Sequence, residues 1–201
     1  MAKRGDRGGA QTRARIAATA TELFLERGFD EVTVADVAAA AGVSKVTVFA
    51  HFDRKEDLLL DRLPGAIDIM RTVIRERAED VTPFEALRQA ALDLAEEPHP
   101  LSGLLEGAEP FLRTVMDSPA LTARFRAFAY EVESEMAAVL DADARFTGDG
   151  ALTAALIVAA YRTVAVETAR RRLAGGDLAE IRAAHRERLV SAFEVLADGL
   201  S

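Results

Sequence analysis

Apolar residues recur at helical spacing along almost the whole chain, and no useful length of it alternates apolar and polar residues as a half-buried strand would. Proline and glycine fall at breaks between these segments. The chain is therefore predicted to be all-α. With 201 residues, 50% of them hydrophobic, it is long enough to bury a core without disulfides, and it contains no cysteine.

The cellular compartment is predicted from the N-terminus and from the longest apolar stretch. The first fifteen residues are charged and glycine-rich, and no apolar segment of the kind found in signal peptides follows them. The stretch from Gly150 to Tyr161 stops at Arg162, well short of the roughly 20 residues that span a bilayer. Together with the absence of cysteine, these features predict a cytoplasmic protein with a buried helix after residue 150.

Charge is distributed unevenly along the chain. Residues 1–55 carry nine Lys/Arg and seven Asp/Glu, whereas residues 56–201 carry sixteen and twenty-six, so an overall charge of −8 hides a basic N-terminal part. The first fifteen residues are expected to form a flexible basic arm. Its Arg13 and Arg15 are candidates for DNA contact, although an unstructured solubilising tail explains the same composition.

Four helices are predicted in the N-terminal part. They are a helix from Thr12 to Arg27 that buries Ile16, Ala20, Leu23 and Phe24, one from Thr33 to Ala41, one of about seven residues capped by Ser44, and one opened by a capping box of Asp53 and Glu56. Pro64-Gly65 should kink or interrupt the fourth helix. A domain boundary is therefore placed between residues 60 and 61.

Longer helices are predicted in residues 61–201. Their expected limits are 82–85 to before 97–100, 118–121 to about Leu140, Asp149 to 174–176, and Asp177 to near Gly199. The last two, roughly 150–174 and 178–198, are candidates for a dimer interface because small residues let helices approach closely. Packing within one chain is the alternative explanation.

Three short helices, with a tight glycine-containing turn between the second and third, are typical of the helix-turn-helix, whose third helix enters the major groove of DNA. Val48 and Phe52 should turn inward and fix the third helix. The residues predicted to contact DNA are Thr33, Ser44, Lys45, Val46, Thr47, Phe49, His51 and Lys55.

The segments "RIAATATELFLERGF" (15–29) and "TVADVAAAAGVSKVTVFAHFDRKEDLL" (33–59) resemble the tetracycline-repressor (TetR) family of bacterial regulators. The resemblance covers roughly the first sixty residues. It implies a homodimer that binds a palindromic DNA operator and a second helical domain that binds a small inducer and releases DNA, usually in a repressor. Phe49 stands where the family often has Tyr, and Val46 where it often has a small residue, so Val46 is predicted to contact a thymine methyl group.

Aromatic and methionine side chains cluster in the second domain, as they do in the lining of helical-bundle pockets. The residues predicted to bind an effector are Met70, Phe84, Phe111, Met116, Phe125, Phe128, Tyr161 and Arg162. The same cluster, which also includes Tyr130, is compatible with an ordinary core. An apolar or amphipathic effector is expected, because that part of the chain has few charges inside its apolar helix.

The two alternative classes are an enzyme and a constitutive DNA-binding protein. An enzyme is not predicted, because the three histidines fall in separate elements and the calcium-loop-like segment 141–150 lacks the required ligands, so no catalytic residue, metal or cofactor is assigned. A constitutive helix-turn-helix protein without an inducer would share the first sixty residues. It would differ in showing no coupling between an effector site and DNA binding.

Overall fold

The structure, a computed structural model of the chain, describes residues 4–96, 99 and 102–200, and for residues 4–7, 199 and 200 it describes the backbone. The regular elements among these residues are all α-helices, which confirms the predicted fold class. In chain order they are α1 (Arg4–Arg27), α2 (Val34–Ala40), α3 (Lys45–Phe49), α4 (Lys55–Leu59), α5 (Pro64–Glu76), α6 (Pro83–Glu96), α7 (Glu109–Asp117), α8 (Pro119–Asp141), α9 (Gly150–Leu173) and α10 (Leu178–Leu200).

The chain divides into two units, and the first is not continuous in sequence. The first, named the DNA-reading unit after the function predicted for its helix-turn-helix, comprises Met1–Asp61 and Arg113–Arg124. The second, named the effector unit after the function predicted for it, comprises Arg62–Leu112 and Phe125–Ser201. The boundary predicted after residue 60 left residues 113–124 in the second domain. Within the first unit, Arg124 Nε lies 2.8 Å from Asp57 Oδ1 of α4. Apolar spacing carries no signal for a contact between residues 67 positions apart.

The DNA-reading unit is built on the inward face of α1. Ile16, Ala20 and Phe24 are fully buried at the i, i+4 and i+8 positions, as predicted, whereas Leu23 is half-buried. The Phe24 and Phe29 rings lie 4.9 Å apart between centroids. This small core positions α2 and α3 for the surface described below.

Helix α1 begins at Arg4, eight residues before the predicted start at Thr12, so residues 4–15 of the segment expected to form an arm are helical. Residues 1–3 of that segment lie outside the described residues. Glycines at 5, 8 and 9 lower helix propensity and led to the later expected start. The structure supplies a tertiary anchor that the spacing does not reveal: Arg13 donates to the His51 carbonyl, pairs with Asp61, and lies 4.2 Å from the centre of the Phe52 ring.

Capping residues explain most of the other helix starts. At the start of α6, the Thr82 N–H donates to the Glu85 carboxylate and the Glu85 N–H donates to the Thr82 hydroxyl. At the starts of α9 and α10, the Leu152 N–H donates to Asp149 and the Glu180 N–H donates to Asp177. These predicted starts of α6, α9 and α10 are confirmed.

The predicted opening of the fourth helix is wrong, because Arg54, not Asp53, is the N-cap of α4 and makes no side-chain cap bond. Helix α4 ends at Leu59, and Pro64 opens the separate helix α5. Helix α7 was not predicted at all. It has nine residues with Val115 as its buried member, which is too short a pattern to stand out.

The core of the effector unit lies between α5, α6, α8, α9 and α10. Its buried members include Met70, Ile74, Leu87, Leu140, Ile157, Leu189 and Phe193. Among the described helices, α9 is long and apolar enough to cross a membrane by length and composition, with a mean hydropathy of 1.4 over an 18-residue window. The apolar stretch therefore extends past Arg162. Core helices of soluble proteins pass the same test, and α9 contributes Ala154, Ile157 and Val164 to this core.

Candidate nucleic-acid interface and effector unit

The turn between α2 and α3 depends on Gly42. Its φ of +65° lies in the left-handed region, which a glycine adopts without the steric cost of a Cβ. Beyond the turn, the Val43 N–H donates to the Ala38 carbonyl (3.0 Å), and the Thr47 N–H donates to the Ser44 hydroxyl (3.0 Å), which caps α3. Together these bonds set the direction in which α3 leaves the turn.

Helix α3 has one buried and one exposed face. Val48 is buried, as is Phe52 beyond the helix, whereas Val46 is 79% exposed and Phe49 is 47% exposed. Lys45 is also exposed. Val46 is therefore not part of the small core, and α3 presents two large apolar groups and a cation to its surroundings.

The hydroxyl groups predicted to contact DNA also form caps. The Ser44 and Thr47 hydroxyls are 2.8 Å apart, and Thr33 forms a capping box with Asp36 at the start of α2. Hydrogen bonds from the Thr33 side chain and backbone, with the nearby charge of Arg27, lower the pKa of Asp36. Thr33 and Ser44 remain exposed at the starts of their helices, where phosphate oxygens are commonly bound.

Lys55 and His51 are placed differently from the exposed residues. The half-buried Lys55 donates from Nζ to the Phe29 carbonyl (2.5 Å) and lies 4.2 Å from the centre of the Phe29 ring. His51 is half-buried, and its carbonyl accepts from Arg13. Both residues thus have roles within the unit, whereas Thr33, Ser44, Lys45, Val46 and Phe49 are exposed and Thr47 is half-buried.

The residues predicted to bind an effector are divided between the interior and the surface. Met70 and Phe128 are buried, Phe84 and Tyr161 pack at the edge of the core, Phe111 and Phe125 are half-buried, Arg162 is exposed, and Met116 belongs to the DNA-reading unit. Burial raises the pKa of Tyr161. Four of the eight residues, Met70, Phe84, Phe128 and Tyr161, therefore belong to the interior or to its edge. Apolar spacing alone does not distinguish a filled interior from a pocket wall.

A cleft of about 440 Å³ lies in the effector unit between α5 and the end of α8. Its charged lining residues are Arg71, Arg75, Arg77, Arg145, Glu135 and Asp143, and it includes none of the predicted effector residues. Arg71 pairs with Glu135 (2.5 Å), and the buried Arg77 pairs with Asp143. A hydrogen bond from the Arg145 N–H, with Arg77 beside it, lowers the pKa of Asp143.

A buried polar cluster joins α9, α10 and the connection before α7. Thr168 Oγ1 lies 2.7 Å from His185 Nδ1, and burial lowers the pKa of His185 to about 4. One turn after Thr168, the buried Arg172 donates to the Leu105 carbonyl (2.9 Å) and to Glu109 (2.5 Å). Sequence reasoning missed this cluster, because Arg172 sits in a run of three arginines typical of a solvated helix end.

Comparison with known proteins bears on both units. Residues 16–61 match the model of a family described as bacterial regulatory proteins, tetR family. The transcriptional regulator TcmR of Streptomyces glaucescens is 26% identical over 162 residues, covering 77% of this chain and 70% of that protein. TtgR of Pseudomonas putida is 32% identical over 100 residues, covering 48% of this chain and 47% of that protein.

The overall fold is also similar to solved structures. Thermus thermophilus FadR, a TetR-family transcriptional repressor crystallised in complex with lauroyl-CoA, superposes with a TM-score of 0.52 and 27% identity, covering 90% of this chain and 94% of that one. The likeness therefore extends beyond the segment matched by the family model.

Proposed function

Because the chain belongs to the TetR family of bacterial transcriptional regulators, we propose that it is a cytoplasmic repressor that binds a palindromic operator as a homodimer and releases it on binding a small amphipathic effector. The observation that carries the proposal is the outward face of α3. Val46 and Phe49 are exposed there beside Lys45, on a helix whose other side is buried.

This face supports readout of the DNA major groove. An α-helix fits that groove, and apolar side chains contact the thymine methyl group while cations contact phosphates. Val46 and Phe49 supply the apolar contacts, and Lys45 supplies the charge. The exposed hydroxyls of Thr33 and Ser44 lie at helix starts, where they and nearby backbone N–H groups contact phosphates and set the register.

We assign the interface of the proposed homodimer to α9 and α10. In the apolar window of α9, 28% of the residues are buried within the chain, which leaves apolar surface available to a second copy. Leu152 of α9 is 53% exposed and Val195 of α10 is 69% exposed. A two-fold pairing of these helices would present two copies of α3 to a palindrome.

Effector control is supported by the size of the helical unit and by the lauroyl-CoA complex of FadR. The alternative is a constitutive DNA-binding dimer. Coupling between the two ligands distinguishes the regulated protein from the constitutive one. An effector that binds the free protein more tightly than the DNA-bound protein must weaken DNA binding by the same factor.

The test is DNA binding by the full chain to the intergenic DNA beside its own gene and to a random duplex, across a range of salt concentrations. We expect tight, palindrome-centred binding by two chains to the local DNA and weak, strongly salt-dependent binding to the random duplex. Val46→Asp should abolish the specific binding, whereas the control Glu79→Ala, at an exposed residue outside α9 and α10, should not. Equal and weak binding of the two DNAs would contradict the proposal for this site.

A further inference from the structure

Arg172 has more hydrogen-bond donors than the protein gives it acceptors. The residue is 3% exposed near the end of α9. Its Nη2 donates to the Leu105 carbonyl and to the Glu109 carboxylate, but Nε and Nη1 are buried and meet no acceptor among the residues that the structure describes. Since a guanidinium carries five N–H groups, three of them remain unused, one on Nε and two on Nη1.

Unused donors of this kind call for a physical explanation. A buried donor without an acceptor has lost its hydration and gained nothing in exchange, and native interiors retain few of them. The charge of Arg172 is already balanced by Glu109. What the guanidinium lacks is therefore acceptor oxygens, which the described residues of the chain do not supply.

A second arginine makes the surroundings electropositive. Arg182 of α10 donates from Nη2 to the Leu104 carbonyl (2.9 Å), next in sequence to the carbonyl that Arg172 holds. Among the contacts of described residues, Glu109 is the one carboxylate that these two guanidinium groups meet. The buried His185 is neutral at pH 7 and adds no charge. The two guanidinium groups and the Glu109 carboxylate together carry a net charge of +1.

Apolar side chains lie next to these polar groups. Leu104, whose carbonyl Arg182 holds, and Ile181, which precedes Arg182 on α10, are both buried. A ligand suited to this environment combines one anionic group with an apolar body. The cleft between α5 and α8 fits such a ligand less well, because its Arg71 and Arg77 already reach Glu135 and Asp143.

We propose that Arg172 anchors the carboxylate of an amphipathic organic acid through its Nε and Nη1 donors, and that this acid is the effector class of the protein. The second part rests on the proposed regulatory function, whereas the binding site does not. A carboxylate at Nε and Nη1 leaves the contacts of Nη2 in place, so the ligand and Glu109 share one guanidinium. Since two carboxylates repel, Glu109 limits the affinity of the ligand.

The test is calorimetric titration of the full chain, without DNA, with octanoate, 4-phenylbutyrate and the neutral analogue 1-octanol. We expect at least one carboxylate to bind tenfold or more tightly than 1-octanol. Arg172→Gln should remove this preference. The matched control Arg171→Gln, which changes the exposed neighbour paired with Glu167 (3.1 Å), should keep it.

A variant that strengthens carboxylate binding controls for the possibility that Arg172→Gln loses binding only because it is partly unfolded. Glu109→Gln removes the competing carboxylate and should tighten carboxylate binding several-fold, a gain that partial unfolding cannot produce. The proposal is overturned if neither carboxylate binds more tightly than 1-octanol, or if Arg172→Gln keeps the preference. In those cases water serves the free donors.

Operator binding, measured separately, distinguishes the two proposals. Carboxylate binding through Arg172 that leaves operator affinity unchanged would support the site and contradict the assigned effector role. Specific operator binding without any carboxylate binding would overturn the site and leave the proposed DNA-binding function standing.

Discussion

Val46 is a branched apolar residue that is 79% exposed on α3. Exposure of one such residue is common on protein surfaces, but here it lies beside the exposed Phe49 and Lys45 on a single short helix. At the scale of the residue, the γ-methyl groups of Val46 allow an apolar contact with DNA that a smaller side chain would not make.

The first prediction concerns that methyl contact. Replacing thymine with uracil in the operator removes the C5-methyl group, and at one position of the half-site the wild-type protein should lose about 1 kcal/mol of binding free energy. Val46→Ala should bind the thymine and uracil operators equally. Fluorescence anisotropy on the four combinations measures the coupling; the same loss in both proteins would exclude Val46 as the reader.

The second prediction separates Lys55 from Lys45. Lys55→Ala removes the hydrogen bond to the Phe29 carbonyl and the contact with its ring, so the free energy of unfolding should fall by about 1–2 kcal/mol while the salt dependence of DNA binding is retained. Lys45→Ala should do the reverse: little change in stability and a salt slope reduced by about 1. Urea unfolding and salt-dependent DNA titration measure the two effects. A reduced salt slope for Lys55→Ala would instead indicate that Lys55 contacts a DNA phosphate.

At the scale of the element, helix starts were predictable wherever a side chain caps the backbone locally. Thr33, Thr82, Asp149 and Asp177 all lie before the helices that they were expected to open. The start of α1 was not predictable in this way. Within α1, Arg13 contacts His51 and Asp61, which lie far along the chain, so local sequence carries no signal for these contacts.

The same contrast separates the two candidate sites. The exposed face of α3 follows from residue order within one turn and one helix, so spacing was sufficient to orient Val46 and Val48. The surroundings of Arg172 are set by α9, α10 and the segment before α7, which meet only in the folded chain. No local pattern distinguishes Arg172 from the exposed Arg171 beside it.

The third prediction concerns the turn before α3. Gly42→Ala places a Cβ on a residue with a φ of +65°, and although no other atom lies within 4 Å of that Cβ, the backbone strain should lower stability by about 1 kcal/mol. Gly65→Ala is the matched control, since its Cβ also enters open space but its φ is not in that region. It lies in the first turn of α5 and should be neutral or slightly stabilising. Equal thermal unfolding of the two variants would show that the turn tolerates a side chain.

At the scale of the whole molecule, the interior holds charged and polar groups as well as a continuous apolar core. Arg172, His185 and Thr168 are all buried in the effector unit. Buried titratable groups make the folding free energy depend on pH, because the folded and unfolded chains bind protons differently.

The fourth prediction concerns His185, whose folded pKa is about 4 against an ordinary value of 6.5. The neutral form is favoured in the folded protein, so its contribution is fully present above about pH 6.5 and declines as the pH falls towards 4, by no more than about 3 kcal/mol. Urea unfolding between pH 4 and 7 should show this slope, and His185→Gln should reduce it. Thr168→Val, which removes the hydroxyl partner but keeps the imidazole, should retain it; an unchanged slope in His185→Gln would exclude this histidine as the source.

The ion pair between Arg124 and Asp57 has a consequence for protein engineering. Regulators are often recombined by joining the DNA-binding part of one protein to the sensing part of another, and residue 61 would be a natural place to cut this chain. Such a graft would separate Asp57 from its guanidinium and remove residues 113–124, which pack with the first sixty-one. A functional chimera of this protein has to carry both segments, so the transferable part is two pieces of sequence, not one.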